Sequence, residues 1–277
     1  MDIYTRNALK CSETTTLNYS TSFSMGVWML QKKFRPAIYA IYGFVRFADE
    51  IVDTFHEKDQ KRLLDEFREL TNKAIKEKFS TNPILHSFQW AVNTYNIEKE
   101  HIDAFLYSME LDLHKYRYNR EEYQRYIYGS AEVIGLMCLR VFYHKDHESY
   151  QKLITPARKL GEAFQKVNFL RDMLSDYNER GRVYFPEVNF ENFNIDMKKT
   201  VEREIEQDFT EAYDGIKELR KDIRLGVYLA YSYYLKLLKK IKKAEPDSLL
   251  EKRFRVSNAR KVALLTRCGI QHSLNIL

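Results

Sequence analysis

Turn-forming residues are scarce in this chain: Gly is 9 and Pro 5 of 277 residues, against roughly 7% and 5% in an average protein. Many-stranded β architectures need a turn about every 8–12 residues, so that class is excluded. The few glycines form neither GxGxxG nor GxxxxGKS/T, which removes the backbone cradles for dinucleotides and nucleoside triphosphates. Cysteine is rare as well. Cys11, Cys138 and Cys268 are odd in number, far apart and without CxxC spacing; that argues against a disulfide framework or zinc ribbon and fits a reducing compartment. The opening Met1-Asp2-Ile3-Tyr4 lacks a basic-then-apolar leader. The longest apolar run, Ala37 to Val45, is far short of the ~20 residues that cross a bilayer.

What is abundant is charge and rings. Charged residues make up 30% of the chain, yet Tyr is 20 and Phe 17; a disordered chain is poor in aromatics. The formal net charge is +6, which favours an anionic partner or describes a slightly basic cytosolic protein. The chain is read as a single all-α domain over 1–277. Arg35-Pro36 marks one helix start with Pro in the first turn, and Thr155-Pro156 another, for a helix running to about Asp176. Segments 56–79, 97–115, 121–143, 197–222 and 225–244 carry apolar residues at three- and four-residue spacing. Residues 177–195, rich in Asn, form the one long irregular stretch, the kind that serves as a lid.

Two places put acids where a core belongs. The helix after Pro36 is apolar on every side from Ala37 to Val45, then carries Arg46, Asp49, Glu50 and Asp53. Arg46, Asp49 and Asp53 share one face. Buried charges are costly unless paired or bound to metal; a helix end emerging into water with an internal Arg–Asp pair is the alternative. In the helix after Pro156, at about 100° per residue, Leu160, Phe164, Val167, Leu170 and Leu174 form one side. Gly161, Gln165, Asn168, Asp172 and Asp176 form another stripe, in which the small Gly161 leaves room for something to approach. Two DxxxD pairs, Asp49–Asp53 and Asp172–Asp176, suit diphosphate ionisation. Mg²⁺ takes one or two protein carboxylates and leaves substrate phosphates to complete its shell. An allylic cation left behind needs a dry, ring-lined cavity.

These residues resemble the squalene/phytoene synthase family of head-to-head trans-isoprenyl diphosphate synthases, from about residue 15 to 265. The resemblance rests on Ser20-Thr21-Ser22-Phe23, on Arg46-Phe47-Ala48-Asp49-Glu50-Ile51-Val52-Asp53, and on Tyr128-Gly129-Ser130-Ala131-Glu132-Val133-Ile134-Gly135. It rests also on the run from Gly161 through Asn168 and Arg171-Asp172 to Asp176, and on Gly181-Arg182-Val183-Tyr184-Phe185-Pro186. It implies an isoprenoid-synthase-like helical bundle around a central cavity. Asp49, Asp53, Asp172 and Asp176, with Asn168, would hold Mg²⁺, or Mn²⁺ in its place. Ser20, Ser22, Arg46, Arg171, Tyr234 and Arg260 would contact diphosphate oxygens; guanidinium groups suit that independently, whereas Ser12–Ser24 also reads as a store of helix caps. Tyr128, Val133 and Gln165 would line the place where the prenyl chains meet. Two departures stand out: Glu50 replaces a second Asp of the family pattern, off the Asp49–Asp53 face, and Glu132 replaces a Gly, which bears on the cavity lining.

The resemblance further implies condensation of two prenyl diphosphates through a cyclopropyl diphosphate. The GRVYFP stretch is similar to phytoene synthases, which gives two C20 substrates, a carotenoid precursor as product and no NADPH. The alternatives are a C15-specific dehydrosqualene or squalene synthase and a non-catalytic relative acting as an assembly factor, which the intact aspartates disfavour. The expected setting is cytoplasmic, as a monomer or weak homodimer. Tyr231–Tyr234 followed by Lys236, Lys239, Lys240, Lys242 and Lys243 reads either as a solvated face or as a peripheral contact with the inner face of an anionic membrane. Basic residues are too dispersed for nucleic acid, and His144 and His147 lack further ligands for zinc.

Overall fold

The computed structural model describes residues 1–114, 117–186 and 193–274, and the described residues contain no β-strand. Thirteen α-helices follow one another among them: α1 (Ile3–Tyr19), α2 (Thr21–Trp28), α3 (Arg35–Asp53), α4 (Gln60–Glu77), α5 (Pro83–Tyr95), α6 (Lys99–Leu111), α7 (Arg120–Ile127), α8 (Val133–Tyr143), α9 (His147–Arg180), α10 (Ile195–Glu218), α11 (Lys221–Lys242), α12 (Pro246–Leu249) and α13 (Asn258–Ser273). A π-helical turn, Tyr128–Glu132, joins α7 to α8. Six helices start on side-chain caps that satisfy their first N–H groups: Asp2, Ser20, Asp59, Asn82, Asp146 and Asn194 each accept from the opening turn. Asn119 and Glu122 form a reciprocal capping box at α7.

α3 is the central element. Ala37, Ala40, Phe44 and Ala48 are fully buried, and Phe44 stacks on Phe88 of α5 at 3.8 Å between ring centres. α5, with Pro83 in its first turn, is a largely buried helix. The segment expected as one helix over 121–143 is split by the π turn. The reason is a close crossing: a Cβ on Gly129 would stand 2.4 Å from the carbonyl oxygen of Ala104 in α6, so the chain there widens rather than carries side chains through.

The expected helix start at Pro156 is corrected. α9 begins at His147, capped by Asp146, and runs through Pro156 to Arg180. Proline inside a helix gives up one backbone hydrogen bond. Here its ring sits against the bare backbone of Gly215 in α10, where an added Cβ would fall 2.2 Å from Pro156 Cβ. The α9–α10 seam is further held by Lys166, whose 1%-exposed ammonium meets Glu204 at 2.5 Å, Asp208 at 2.7 Å and Glu162 at 2.7 Å. The irregular stretch is shorter than expected: α9 extends to Arg180 and α10 resumes at Ile195. Its middle, 187–192, lies outside the described residues, as does the lid expected there. Val183 forms an isolated parallel bridge with Arg117.

Candidate active site

A cavity of about 400 Å³ opens between α2, α3, α8, α9, α10 and α11. Its body is apolar: Ile38 and Ile41 from α3, Ile134 and Cys138 from α8, Leu153 and Leu160 from α9, and Ile216 and Leu219 at the end of α10. Polar groups gather at one end. Arg46 and Asp49 of α3, Gln165 and Asn168 of α9, Ser130 of the π turn and Tyr234 of α11 all line it. Four sequence-selected residues on α3 and α9, Arg46, Asp49, Gln165 and Asn168, are thereby brought into one space.

The first aspartate pair occupies the last turns of α3, where carboxylates oppose the helix dipole. Two cations offset them. Arg46 donates to Asp49 at 2.5 Å and to Glu50, with its guanidinium 4.3 Å from the centre of the Tyr19 ring. Desolvation in this recess, reinforced by the charge of Asp53, pushes the Asp49 carboxyl up to about 7 against the pull of Arg46. Asp53 accepts from Arg182 at 3.0 Å.

The second pair continues the stripe of α9 beyond the cavity lining. Arg171 donates to Asp172 through Nε at 2.9 Å and through Nη2. Arg253, in the connection between α12 and α13, reaches the same carboxylate at 2.6 Å. Tyr234 is stacked on Phe164 at 4.0 Å between ring centres; burial raises its phenol, and neighbouring Arg171 pulls the other way. Asn168 donates to Gln165 at 3.4 Å, and Gln165 to Ser130 at 3.3 Å. The buried Asn168 Oδ1 has no hydrogen-bond partner among the described residues. What approaches the small Gly161 is the π turn. The glycine makes room for main chain, since its Cβ would lie 2.7 Å from the Ala131 carbonyl oxygen.

Other expectations fall differently. Tyr128 and Val133 are not in the cavity lining; through the π turn, Ser130, Ala131 and Ile134 take that place. Tyr128 instead lies under Arg158, at 5.3 Å, and Val133 is fully buried. Glu132 neither narrows nor repolarises the cavity, because it turns to Arg158 Nε at 2.5 Å. Ser20 is the N-cap of α2, accepting from Phe23 at 3.2 Å, so the cap reading describes what it does here. Ser22 is half-buried in α2. Arg260 is exposed near the start of α13; its neighbour Lys261 reaches Thr21 at 3.3 Å, which sets this end of α13 beside the Ser20–Ser22 turn. The rings of Tyr231 and Tyr234 face inward, leaving only the lysines of α11 for an outer surface. No described helix is long and apolar enough to cross a membrane.

Three residues escaped the sequence reading. Asp112, just beyond α6, is buried and accepts from Tyr126 at 2.8 Å and Tyr184 at 3.3 Å; burial pushes it up to about 6 despite Arg182. Arg182 stood inside a recognised motif without a role. Arg253 sat in a basic run that looks like a solvated face.

The donor set is hard oxygen throughout, and Asn168 supplies a buried, unpartnered carbonyl beside it. No three His, Cys, Asp or Glu among the described residues converge on one point. Hard carboxylate and amide oxygens are the ligands that Mg²⁺ and Mn²⁺ prefer, so the chemistry of these residues fits either ion.

Solved structures share this architecture. A dehydrosqualene synthase in complex with ligand superposes with a TM-score of 0.80 at 22% identity, covering 96% of each chain. Squalene synthase HpnC from Alicyclobacillus acidocaldarius gives 0.76 at 19%, covering 88% of this chain and 96% of that one. The fold is therefore that of the all-α isoprenoid synthases. In sequence, the squalene/phytoene synthase family matches residues 16–260. Phytoene synthase of Arthrospira platensis is 28% identical, covering 84% of this chain and 83% of its own. Phytoene synthase 1, chloroplastic, of Solanum lycopersicum is 26% identical, covering 92% of this chain and 66% of its own. The 4,4'-diapophytoene synthase of Staphylococcus haemolyticus is 24% identical, covering 88% and 90%. The chain belongs to the squalene/phytoene synthase family and is a prenyltransferase of head-to-head isoprenoid condensation.

Proposed function

We propose that the enzyme joins two geranylgeranyl diphosphates into phytoene, by way of a cyclopropyl diphosphate and without a reductant. The observation that carries this reading is a long apolar cavity with all its charged groups at one end. Along α9 the lining runs from Leu153 to Asn168, about 22 Å at 1.5 Å per residue. An extended C20 prenyl chain needs about 20 Å and a C15 chain about 15 Å, at roughly 1.3 Å of advance per bond. The wall is thus long enough for the larger substrate.

In this reading the chain's own residues do four things. Arg46, Arg171 and Arg253 grip the departing diphosphate, with Ser20, Ser22, Tyr234 and Arg260 as further contacts at the rim; guanidinium forks match phosphate oxygens bidentately. Asp49, Asp53, Asp172 and Asp176, with Asn168, hold the divalent cation. Bound there, Mg²⁺ or Mn²⁺ supplies positive charge against the charge developing on the leaving group. The rings of Phe23, Tyr42, Phe164 and Tyr234 face the allylic cation, and aromatic faces attract cations. The apolar body keeps water from quenching it. After one diphosphate leaves, C1 of that substrate bonds to the double bond of the other and proton loss closes the cyclopropane; loss of the second diphosphate, rearrangement of the ring to a 1–1′ linkage and a second proton loss yield a C40 hydrocarbon with a central conjugated triene. The exposed Lys236 and Lys239 on α11, with Lys243 just after it, offer a peripheral contact with an anionic membrane that can receive this hydrocarbon.

The test is direct. Purified enzyme with geranylgeranyl diphosphate and Mg²⁺, without NADPH, is expected to release phytoene, read by chromatography and mass spectrometry. Product from farnesyl diphosphate alone keeps the reaction and overturns the chain length. No product from either overturns the reading.

A further inference from the structure

Arg182 is the second residue after α9. Gly181 before it adopts a left-handed backbone, φ 65°, at the end of that helix, a conformation glycine takes without strain. This turn doubles the chain back, so that Arg182 N–H donates to the carbonyl of Asp176 at 2.8 Å. Its side chain then runs the other way. Nη1 donates to Asp53 Oδ1 at 3.0 Å, and Nη2 donates to the backbone carbonyl of Asp112 at 2.9 Å. The phenol of Tyr184 lies 3.4 Å from Nη1, and the Asp112 carboxylate lies 3.8 Å away. One residue thus touches the main chain of the second aspartate pair and the side chain of the first.

The two arginines of the first pair differ in freedom. The Arg46 side chain is 27% exposed, lines the cavity and donates to acceptors of its own helix, Asp49 and Glu50. That of Arg182 is 6% exposed and is gripped by acceptors from α3 and the end of α6. Its walls are also fixed: Tyr184 stacks on Phe169 of α9 at 4.1 Å between ring centres and packs against Tyr118 and Tyr126.

We infer that Arg182 is a positioning residue, a strut that sets the Asp53 carboxylate relative to the Asp172–Asp176 end of α9. Given that these aspartates bind the divalent cation, as proposed above, the strut pre-forms the separation that one bridging diphosphate has to span. Groups that orient metal ligands cost metal affinity when removed, about 10- to 100-fold. Lysine is a poor replacement, since a point charge cannot serve Asp53 and the Asp112 carbonyl with one planar fork.

The experiment is an Mn²⁺ titration of the full chain with inorganic diphosphate, followed by electron paramagnetic resonance. Arg182→Met is expected to weaken Mn²⁺ binding about 10- to 100-fold, and Arg182→Lys to recover only part of that loss. Lys166→Met is the control: it breaks a buried ion cluster elsewhere on α9 and is expected to leave Mn²⁺ affinity within about twofold while lowering stability. Where circular dichroism shows Arg182→Met unfolded, Arg182→Lys and Arg182→Gln carry the comparison. Wild-type-like Mn²⁺ affinity in folded Arg182 variants overturns the strut alone. Equal weakening by Lys166→Met overturns it too, as a general softening of the bundle. Absence of Mn²⁺ binding by the wild-type chain overturns the cation reading of the aspartates and the strut with it.

Discussion

The guanidinium of Arg253 stands 2.6 Å from the carboxylate of Asp172. A residue near the end of the chain therefore covers the second aspartate pair, which is otherwise served by its sequence neighbour Arg171. The Arg253 side chain is half exposed, and exposed ion pairs contribute little to stability, about 0–1 kcal/mol. Its use lies in what it can grip. Arg253→Gln is expected to leave the melting temperature almost unchanged and to raise KM for the prenyl diphosphate about tenfold, the ~1.4 kcal/mol of one charged contact. Steady-state kinetics beside a thermal melt check this, and an unchanged KM would remove Arg253 from the diphosphate site.

Asp172 has the opposite profile. It is flanked by Arg171 and Arg253 yet lies on the polar stripe of α9, outside the packed core. Asp172→Asn keeps the shape and removes a negative oxygen. Turnover is expected to fall at least about 100-fold, or roughly 3 kcal/mol of barrier, with far-ultraviolet circular dichroism unchanged. Asp49→Asn is expected to behave alike. Near-normal turnover in either variant contradicts their assignment to the cation.

Much of the fold could be read from the residues themselves, because the signals are local. Pro36 lies in the first turn of α3, and the all-round apolar run after it is the buried centre of the bundle. The stripe Gly161, Gln165, Asn168 lines the cavity, as its angular spacing implied. What stayed hidden depends on parts distant in sequence. Pro156 reads as a start until Gly215 is seen beneath its ring. The family resemblance placed Tyr128 and Val133 in the lining, and the π turn Tyr128–Glu132 instead presents Ser130, Ala131 and Ile134 there. Asp112 and Arg182 are 70 positions apart and meet only in the folded chain; neither has a periodicity that announces the other.

Asp112 makes a prediction about pH. Burial raises its folded carboxyl to about 6 from an ordinary 3.8. Between those values the folded chain retains a proton that the unfolded chain has released. Stability from this group is therefore present below about pH 4, falls as pH rises toward 6, and stays low above that. At 1.36 kcal/mol per unit the loss is about 3 kcal/mol. Asp112→Asn does not titrate, so the wild-type chain is expected to lose stability relative to this variant between pH 4.5 and 7. Urea unfolding at the two pH values measures it; a constant difference would show that Asp112 does not carry the shift.

Gly161 crosses the π turn on bare backbone, with the Ala131 carbonyl oxygen 2.7 Å from where a Cβ would stand. Neither partner is a flexible side-chain end, so the helices themselves have to part. Gly161→Ala is expected to cost about 1–3 kcal/mol, the range for overpacking a core. It is also expected to reduce turnover, because Ser130 and Gln165 shift together. Denaturant unfolding and kcat check the two effects, and an unchanged midpoint would mean that the crossing has slack.

Cys138 bears on substrate length. It sits on the wall of the apolar body, on the α8 stretch that runs from Ile134 toward Phe142. Burial pushes its thiol up to about 12, so it is nearly all protonated at neutral pH and is expected to resist alkylation there, since the thiolate is the nucleophile. It acts as a small apolar side chain whose size leaves space beside it. Cys138→Phe fills that space below the polar end without touching Arg46, Asp49 or Asn168. The far end of the longer chain loses room while the reacting carbons keep their surroundings. Offered farnesyl and geranylgeranyl diphosphates together, the variant is expected to shift its product toward the C30 hydrocarbon by about tenfold, the ~1–3 kcal/mol that one misfitting group costs in an apolar pocket. Equal loss of both products would place the defect in the chemistry. An unchanged ratio would mean that the prenyl tails run along another wall.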